Sequence, residues 1–290
     1  MEMIQKVFRK TRMFGELVMF SHTLFSLPFA VISMVWAAGG IPSAHVMLWS
    51  LIALVGARNG ANAFNRLVDR RFDEANPRTA HRHMPRKLLR EREVTLFVVV
   101  NFAIFILAAG MLNPLCLWLA PVAIVLICSY SYTKRFTWLC HLYLGFTIAS
   151  APIGAWFAVT GQFAVTPFIL GTIVMLWIAG FDIIYATQDI EFDRKTGLWS
   201  VPSLFGYEDS LFIARSLHTI MVVLLLALFF IQGLGWIYLG GIGAAAVLLA
   251  IEHNIIKPSN RQRMNVASYN LNQIISMVIL FCTMADFFLN

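Results

Sequence analysis

Polar sequence is what this chain has least of. Of its 290 residues only 13% are charged, against 59% hydrophobic and 24 phenylalanines, and no polar segment between the apolar runs is long enough for a soluble domain. This excludes an ordinary globular protein and points to an integral membrane protein. Cysteine is also sparse. Cys116, Cys128, Cys140 and Cys282 lie in or beside apolar segments with no CxxC pair, which argues against a zinc or disulfide framework and leaves them as small apolar residues. No small-residue cleavage site closes the first apolar run, so the basic stretch MEMIQKVFRKTRMFGELVMF is read as retained.

What is present is a series of long apolar runs. Backbone polar groups in hydrocarbon must be paired within the fold, which leaves helices or a closed barrel. Spanning helices need about 17–25 residues, whereas barrel strands are about 10 residues of alternating polarity. The runs here match helices. The expected fold class is all-α and polytopic, with nine spans at roughly 19–38, 45–64, 94–111, 115–131, 139–159, 167–188, 211–231, 235–253 and 267–288.

Basic residues are missing from the connections near 39–44, 112–114, 160–166 and 232–234. They fill the alternate ones: Lys6, Arg9, Lys10 and Arg12 before the first span, nine from Arg66 to Arg92, then Lys134 with Arg135, Arg194 with Lys195, and Lys257, Arg261 and Arg263. With Arg58 and Arg215, all 22 lie on or near one side. The positive-inside rule puts that side and the N-terminus in the cytoplasm, and the C-terminus outside. Because the net charge of +7 is membrane-flanking and interleaved with acids, anionic lipid and an anionic substrate are the expected partners, not nucleic acid.

The informative polar residues form two rows. Asn65, Asp69 and Asp73 recur every four residues at the cytoplasmic end of span two, where a continuous helix aligns them on one face about 6 Å apart. Asp189 and Asp193 repeat the pair at the end of span six, with Asp182 two turns earlier on nearly the same face. The topology puts both rows on the same membrane side, where the two helix ends can converge. Like charges at this spacing repel, so each row needs a positive counterpart. Asp182 lies inside an apolar segment, where an ionisable group is costly and usually faces a polar cavity. Carboxylates with an amide form a hard-oxygen set suited to Mg²⁺, which is commonly shared with substrate phosphates.

Cations flank both rows. Arg78 and Arg82 follow the first in NPRTAHR, Lys134 and Arg135 end span four in SYSYTKR, and Arg194 and Lys195 follow the second. Arg90, Arg92 and Lys195 are read as topology signals facing lipid headgroups. Arg58, seven residues before Asn65, lies deep enough to need a partner.

The segments ANAFNRLVDRRFDEANPRTAHRHMP and DIIYATQDIEFDRKTGLWSVPSLFG resemble the two signature regions of the UbiA superfamily of intramembrane aromatic prenyltransferases, in the branch that includes 4-hydroxybenzoate polyprenyltransferases. HTLFSLPFA and SYSYTKRFT are similar to that branch's first span and fourth connection. The resemblance covers nearly the whole chain. It implies a single prenyltransferase domain over residues 1–290 in a bacterial inner membrane, with nine transmembrane helices around a central cavity open to the cytoplasm and sideways to lipid. It assigns Mg²⁺ and the diphosphate of a polyprenyl donor to Asn65, Asp69, Asp73, Asp189 and Asp193, further diphosphate contacts to Arg78 and Lys134, and the aromatic acid acceptor's carboxylate to Arg58; Arg82 and Arg135 are the further candidates for diphosphate, and Asn62 and Asp182 for the acceptor. One departure stands out. The family's RPLPxG is RHMPRK here, with His83 in place of the first Pro, Arg86 at the variable position and Lys87 in place of Gly, which bears on the loop over the diphosphate.

The chemistry implied is ionisation of the donor's allylic C–O bond, attack by an electron-rich ring carbon, and loss of the ring proton. Asp189 is the candidate carboxylate for the acceptor, with Asp69 beside it among the catalytic residues. Phe64, Tyr130, Trp156 and Tyr185 are possible liners, and none is assigned a catalytic role. A dihydroxynaphthoate is the alternative acceptor in menaquinone biosynthesis, although NPRTA leans toward the 4-hydroxybenzoate type. A cation transporter would need acids near the bilayer midplane, and a CDP-alcohol phosphotransferase would need its single glycine-containing signature.

Overall fold

The computed structural model describes residues 12–18, 25–256 and 266–290. Lys6, Arg9, Lys10, Lys257, Arg261, Arg263 and the start of the first predicted span lie outside these residues. Every regular element among the described residues is helical. After a short helical segment at 12–17 come α1 (Leu27–Ala38), α2 (Ala44–Val68), α3 (Arg70–Ala75), α4 (Glu91–Leu112), α5 (Pro114–Thr133), α6 (Cys140–Thr160) and α7 (Val165–Ala186). A 3-10 turn (Thr187–Asp189) leads to α8 (Ile190–Thr196), α9 (Val201–Phe205), α10 (Tyr207–Gln232) and α11 (Trp236–Ile255). A π-helical turn (Val266–Leu271) precedes α12 (Asn272–Leu289).

Each of the nine predicted spans overlaps one of these helices, and seven helices among the described residues are long and apolar enough to cross a bilayer by themselves. α1 has 12 described residues, about 18 Å of helix, which is short of a roughly 30 Å hydrocarbon core. α2 has 25 residues, yet Arg58, Asn59, Asn62, Asn65 and Arg66 crowd its second half. This lowers its hydropathy where it carries candidate site residues.

The chain divides into two compact units, residues 1–23 with 44–132 and residues 24–43 with 133–290. In the first, α2 packs along α4. A methyl group added at Gly56 would lie 2.9 Å from the carbonyl oxygen of Asn101, and one at Gly60 would collide with the Phe102 ring. Small residues at such contacts let helix backbones approach closely. Leu17, Val18, Ala63, Met84, Leu89, Val94 and Val98 fill the core beneath the loop that follows α3, and Arg70 pairs with Glu91 at 2.8 Å to tie α3 to the start of α4. Leu96, Val99, Leu107 and Val125 are exposed, as a lipid-facing surface requires.

α7 is the axis of the second unit. Ile173, Val174, Trp177, Ile178, Ala179, Ile183 and Ile184 have no exposed surface, so this helix is apolar all round because protein surrounds it. α6 and α10 pack on it and α1 packs on α6. Gly180 of α7 admits the His218 ring from α10, and Ser33 of α1 donates to the Pro152 carbonyl of α6 at 2.6 Å. Asp286 of α12 accepts from the N–H groups of Gly235 and Tyr238 at 2.6 and 3.1 Å, holding the start of α11.

Candidate active site

The first aspartate row is not one continuous helix. α2 ends at Val68 and α3 begins at Arg70, with Asp69 between them at φ −90°, ψ 5°. The i→i−4 hydrogen bonds nevertheless persist, from Asp69 N–H to the Asn65 carbonyl at 2.9 Å and from Asp73 N–H to the Asp69 carbonyl at 2.8 Å. The fourfold spacing survives across the interruption. Asn65 donates its amide to Asp69 Oδ2 at 2.8 Å and makes a longer contact of 3.4 Å to Ser131.

Asp73 is buried. Arg82 donates to its Oδ1 at 2.6 Å, and its Oδ2 is buried without a partner. Of the two arginines the sequence offered, Arg82 therefore reaches the row by its side chain. Arg78 is half-buried, and its backbone N–H donates to Asn76 Oδ1 at 2.9 Å in an Asx turn. Thr79 Oγ1 donates to the Asp73 carbonyl at 3.0 Å, folding the loop back on the row. Deeper in α2, Arg58 keeps its Nε buried and unpartnered, whereas Asn62 donates its amide to the Val18 carbonyl at 2.8 Å. His83, one of the two departures, contacts Glu16 at 3.2 Å.

The second row is built the same way within its own unit. α7 gives way to the 3-10 turn, and Asp189 stands before α8 at φ −104°, ψ 7°. Asp193 is 2% exposed. Its Oδ2 accepts from Ser200 at 2.9 Å and from Lys134 at 3.4 Å. Trp199 N–H donates to the Lys134 carbonyl at 2.6 Å, which pins the lysine's backbone beside the row. Burial disfavours the Lys134 ammonium, but the surrounding negative charges, Asp193 first and then Asp182 and Asp189 among them, outweigh that cost and raise its pKa above the ordinary lysine value. Arg135 is exposed. Asp182 accepts from His141 Nδ1 through Oδ2 at 2.7 Å, with the imidazole 1% exposed and the carboxylate side chain 23% exposed.

Asp69 and Asp189 share a local logic. Each occupies the N-cap position of a short helix without spending its side chain on a capping bond. A carboxylate there is favoured by the positive end of the peptide dipoles, and both φ,ψ pairs fall in the sparsely populated bridge region where many active-site residues sit. The sequence reading missed Ser131, Ser200 and His141. Ser131 and Ser200 lie inside the quoted segments, and His141 is an ionisable residue in an apolar helix, the signal that singled out Asp182. Of the suggested aromatics, Phe64 sits edge-on to Tyr132 and Tyr185 edge-on to Tyr269.

Residues 26–274 match the UbiA prenyltransferase family. The chain is 33% identical over 245 residues to the 4-hydroxybenzoate octaprenyltransferase of Alkalilimnicola ehrlichii, spanning 84% of this chain and 83% of that protein. It is 31% identical to the enzyme of the same name from Aliivibrio fischeri, over 94% and 93% of the two chains. The apo structure of a UbiA homolog from Aeropyrum pernix matches with TM-score 0.84 at 30% identity, covering 92% of this chain and 98% of that one. A UbiA homolog from Archaeoglobus fulgidus bound to DMAPP and Mg²⁺ shares the fold, with TM-score 0.69 at 19% identity over 92% and 98% of the chains. Two aspartate motifs on an all-helical membrane scaffold, and a family match over most of the chain, make this protein a prenyltransferase that belongs to the UbiA prenyltransferase family.

Proposed function

We propose that the protein, acting as a single domain over residues 1–290, transfers a polyprenyl group from polyprenyl diphosphate to 4-hydroxybenzoate in quinone biosynthesis. The reaction takes place at the cytoplasmic face of a bacterial inner membrane, with the N-terminus on that side. The acceptor is supported by the names of the relatives from Alkalilimnicola ehrlichii and Aliivibrio fischeri. The observation that carries the reading is the buried, unpartnered Asp73 Oδ2 beside its Arg82-held Oδ1. An unpaired buried oxygen costs about 1–3 kcal/mol, more if charged, and a cation offsets that cost.

The donor set fits magnesium. Asn65, Asp69, Asp73, Asp189 and Asp193 offer hard oxygens, and among the described residues no three His, Cys, Asp or Glu side chains form a cage of their own. A few carboxylates completed by substrate phosphates are the usual magnesium arrangement. When bound, the ion supplies Lewis-acid neutralisation of the leaving diphosphate. Around it, Arg78, Arg82, Lys134 and Arg135 add positive charge toward the phosphate oxygens, so that charge developing on the leaving group is stabilised as the allylic C–O bond breaks. Arg58 receives the acceptor's carboxylate, with Asn62 and Asp182 on the acceptor side. Asp189, on the sequence reading, accepts the hydrogen bond of the acceptor's hydroxyl and so raises the ring's nucleophilicity, and a base takes up the proton lost from the ring.

The polyprenyl tail stays in lipid while its diphosphate reaches the polar end of the helices, which explains an enclosure made of membrane spans. Incubating purified protein with radiolabelled geranyl diphosphate and either 4-hydroxybenzoate or 1,4-dihydroxy-2-naphthoate, with mass analysis of the product, tests the reading. Prenylated 4-hydroxybenzoate is expected. A product formed only from the naphthoate would replace the acceptor, and no product from either would remove the assignment.

A further inference from the structure

His141 is fully buried on α6, yet one of its ring nitrogens has no partner. Nδ1 lies 2.7 Å from Asp182 Oδ2, and because an ionised carboxylate only accepts, Nδ1 carries the proton. Nε2 is buried with nothing to bond. Packing alone disfavours histidine here, because an unsatisfied buried nitrogen costs about 1–3 kcal/mol that leucine or phenylalanine would not incur. What histidine adds is its Nδ1–H to Asp182.

The pair is asymmetric. The Asp182 side chain is 23% exposed and the imidazole 1%, so the carboxylate is the member a ligand can touch and His141 stands behind it. Asp182 precedes Asp189 by seven residues, roughly 10 Å along the end of α7 and the 3-10 turn that follows it, which sets it back from the diphosphate end of the motif.

We propose that His141 is a positioning residue for the acceptor, holding Asp182 oriented so that its Oδ1 accepts the hydrogen bond of the acceptor's phenolic hydroxyl. The inference rests on the functional reading above and moves one role within it, from Asp189 to Asp182. As the donor's C1–O bond breaks, its electron pair leaves with the diphosphate. The ring carbon ortho to the hydroxyl forms the new bond to C1, and the hydroxyl proton shifts toward Asp182 Oδ1, feeding electron density into the ring. The ring C–H proton then passes to Asp189 and on to water, the hydroxyl recovers its own proton, and aromaticity returns. His141 donates its hydrogen bond to Asp182 throughout and is not consumed.

The test compares wild type, His141→Leu and His141→Asn, whose amide keeps a donor near the Nδ1 position. Rates are measured with geranyl diphosphate and Mg²⁺ against 4-hydroxybenzoate and its more acidic analogue 3-fluoro-4-hydroxybenzoate. His141→Leu is expected to lower kcat about 10–100-fold with 4-hydroxybenzoate, the usual effect of losing a partner that orients a reacting group. KM for geranyl diphosphate stays within twofold. The loss is several-fold smaller with the fluorinated acceptor, whose hydroxyl needs less help to ionise, and His141→Asn recovers most of the rate. An equal loss with both acceptors together with a raised donor KM marks a packing role and overturns the proposal, as does an unchanged rate in His141→Leu. Those two results leave the prenyl-transfer reading standing, because the wild type still turns over. A wild-type protein that transfers to neither phenol overturns both.

Discussion

Asp69 and Asp189 adopt the same backbone conformation, φ −90°, ψ 5° and φ −104°, ψ 7°, each between the end of a long helix and the start of a short one. Four residues on, each is followed by a buried aspartate held by a basic residue from elsewhere in its own unit, Asp73 by Arg82 at 2.6 Å and Asp193 by Lys134 at 3.4 Å. One local solution for presenting two carboxylates at a helix end thus occurs twice in the chain. The first aspartate of each pair occupies the N-cap position of the short helix, and a cation offsets the repulsion the second one adds.

Arg82→Ala should destabilise the protein and weaken donor binding together, because it leaves Asp73 buried with neither oxygen paired. Removing one partner of a buried ion pair costs about 3–5 kcal/mol, and partial exposure of Arg82 puts this case at or below the lower end. Thermal unfolding in detergent and KM for geranyl diphosphate are the readouts, and Arg82→Lys should fall between alanine and wild type. An Arg82→Ala protein with unchanged donor KM would remove Arg82 from the diphosphate site.

The Lys134–Asp193 pair should be insensitive to pH across the physiological range. Its lysine pKa is raised, so its contribution to stability is fully present below the unfolded lysine value of about 10.4 and is lost only as pH rises through the still higher folded value. The melting-temperature difference between wild type and Lys134→Met should therefore be flat from pH 6 to 9. A difference that falls away as pH rises through 8 would mean that Lys134 loses its proton early.

His83→Pro restores the family residue and removes the contact with Glu16. Glu16 is half exposed, and exposed pairs are worth about 0–1 kcal/mol, so stability and transfer rate should both change little. A drop in transfer of more than tenfold would mean that the RHMPRK loop has its own fit to the diphosphate.

Arg58→Leu should raise KM for 4-hydroxybenzoate at least tenfold with the geranyl diphosphate KM unchanged, since its buried Nε is free to meet a carboxylate. Equal effects on both substrates would assign Arg58 to helix packing.

The helices and both aspartate rows were legible in the sequence because span length and fourfold spacing are backbone periodicities. Which cation meets which acid was not. Arg78 is nearer than Arg82 to the first row in sequence, yet the turn held by Thr79 brings Arg82 to Asp73. The same holds for Lys134 and Arg135, where the bond from Trp199 fixes the backbone. The interruptions at Asp69 and Asp189 carry no proline or glycine to announce them, and the row read as one straight helix is two helices meeting at an aspartate. α2 was read as an ordinary span, but the polar residues in its second half make it the least lipid-compatible of the long helices. His141 was overlooked because a single histidine among apolar residues has no periodicity, and its meaning appears only with Asp182 beside it.

The proposed function makes turnover depend on each aspartate motif and on magnesium. The most direct measurement is transfer from geranyl diphosphate to 4-hydroxybenzoate by purified wild type, Asp69→Ala and Asp189→Ala, each with Mg²⁺ and with EDTA, after confirming that the variants insert and purify normally. The account predicts turnover only for wild type with Mg²⁺. Near-normal turnover by either variant, or by the wild type in EDTA, would contradict it.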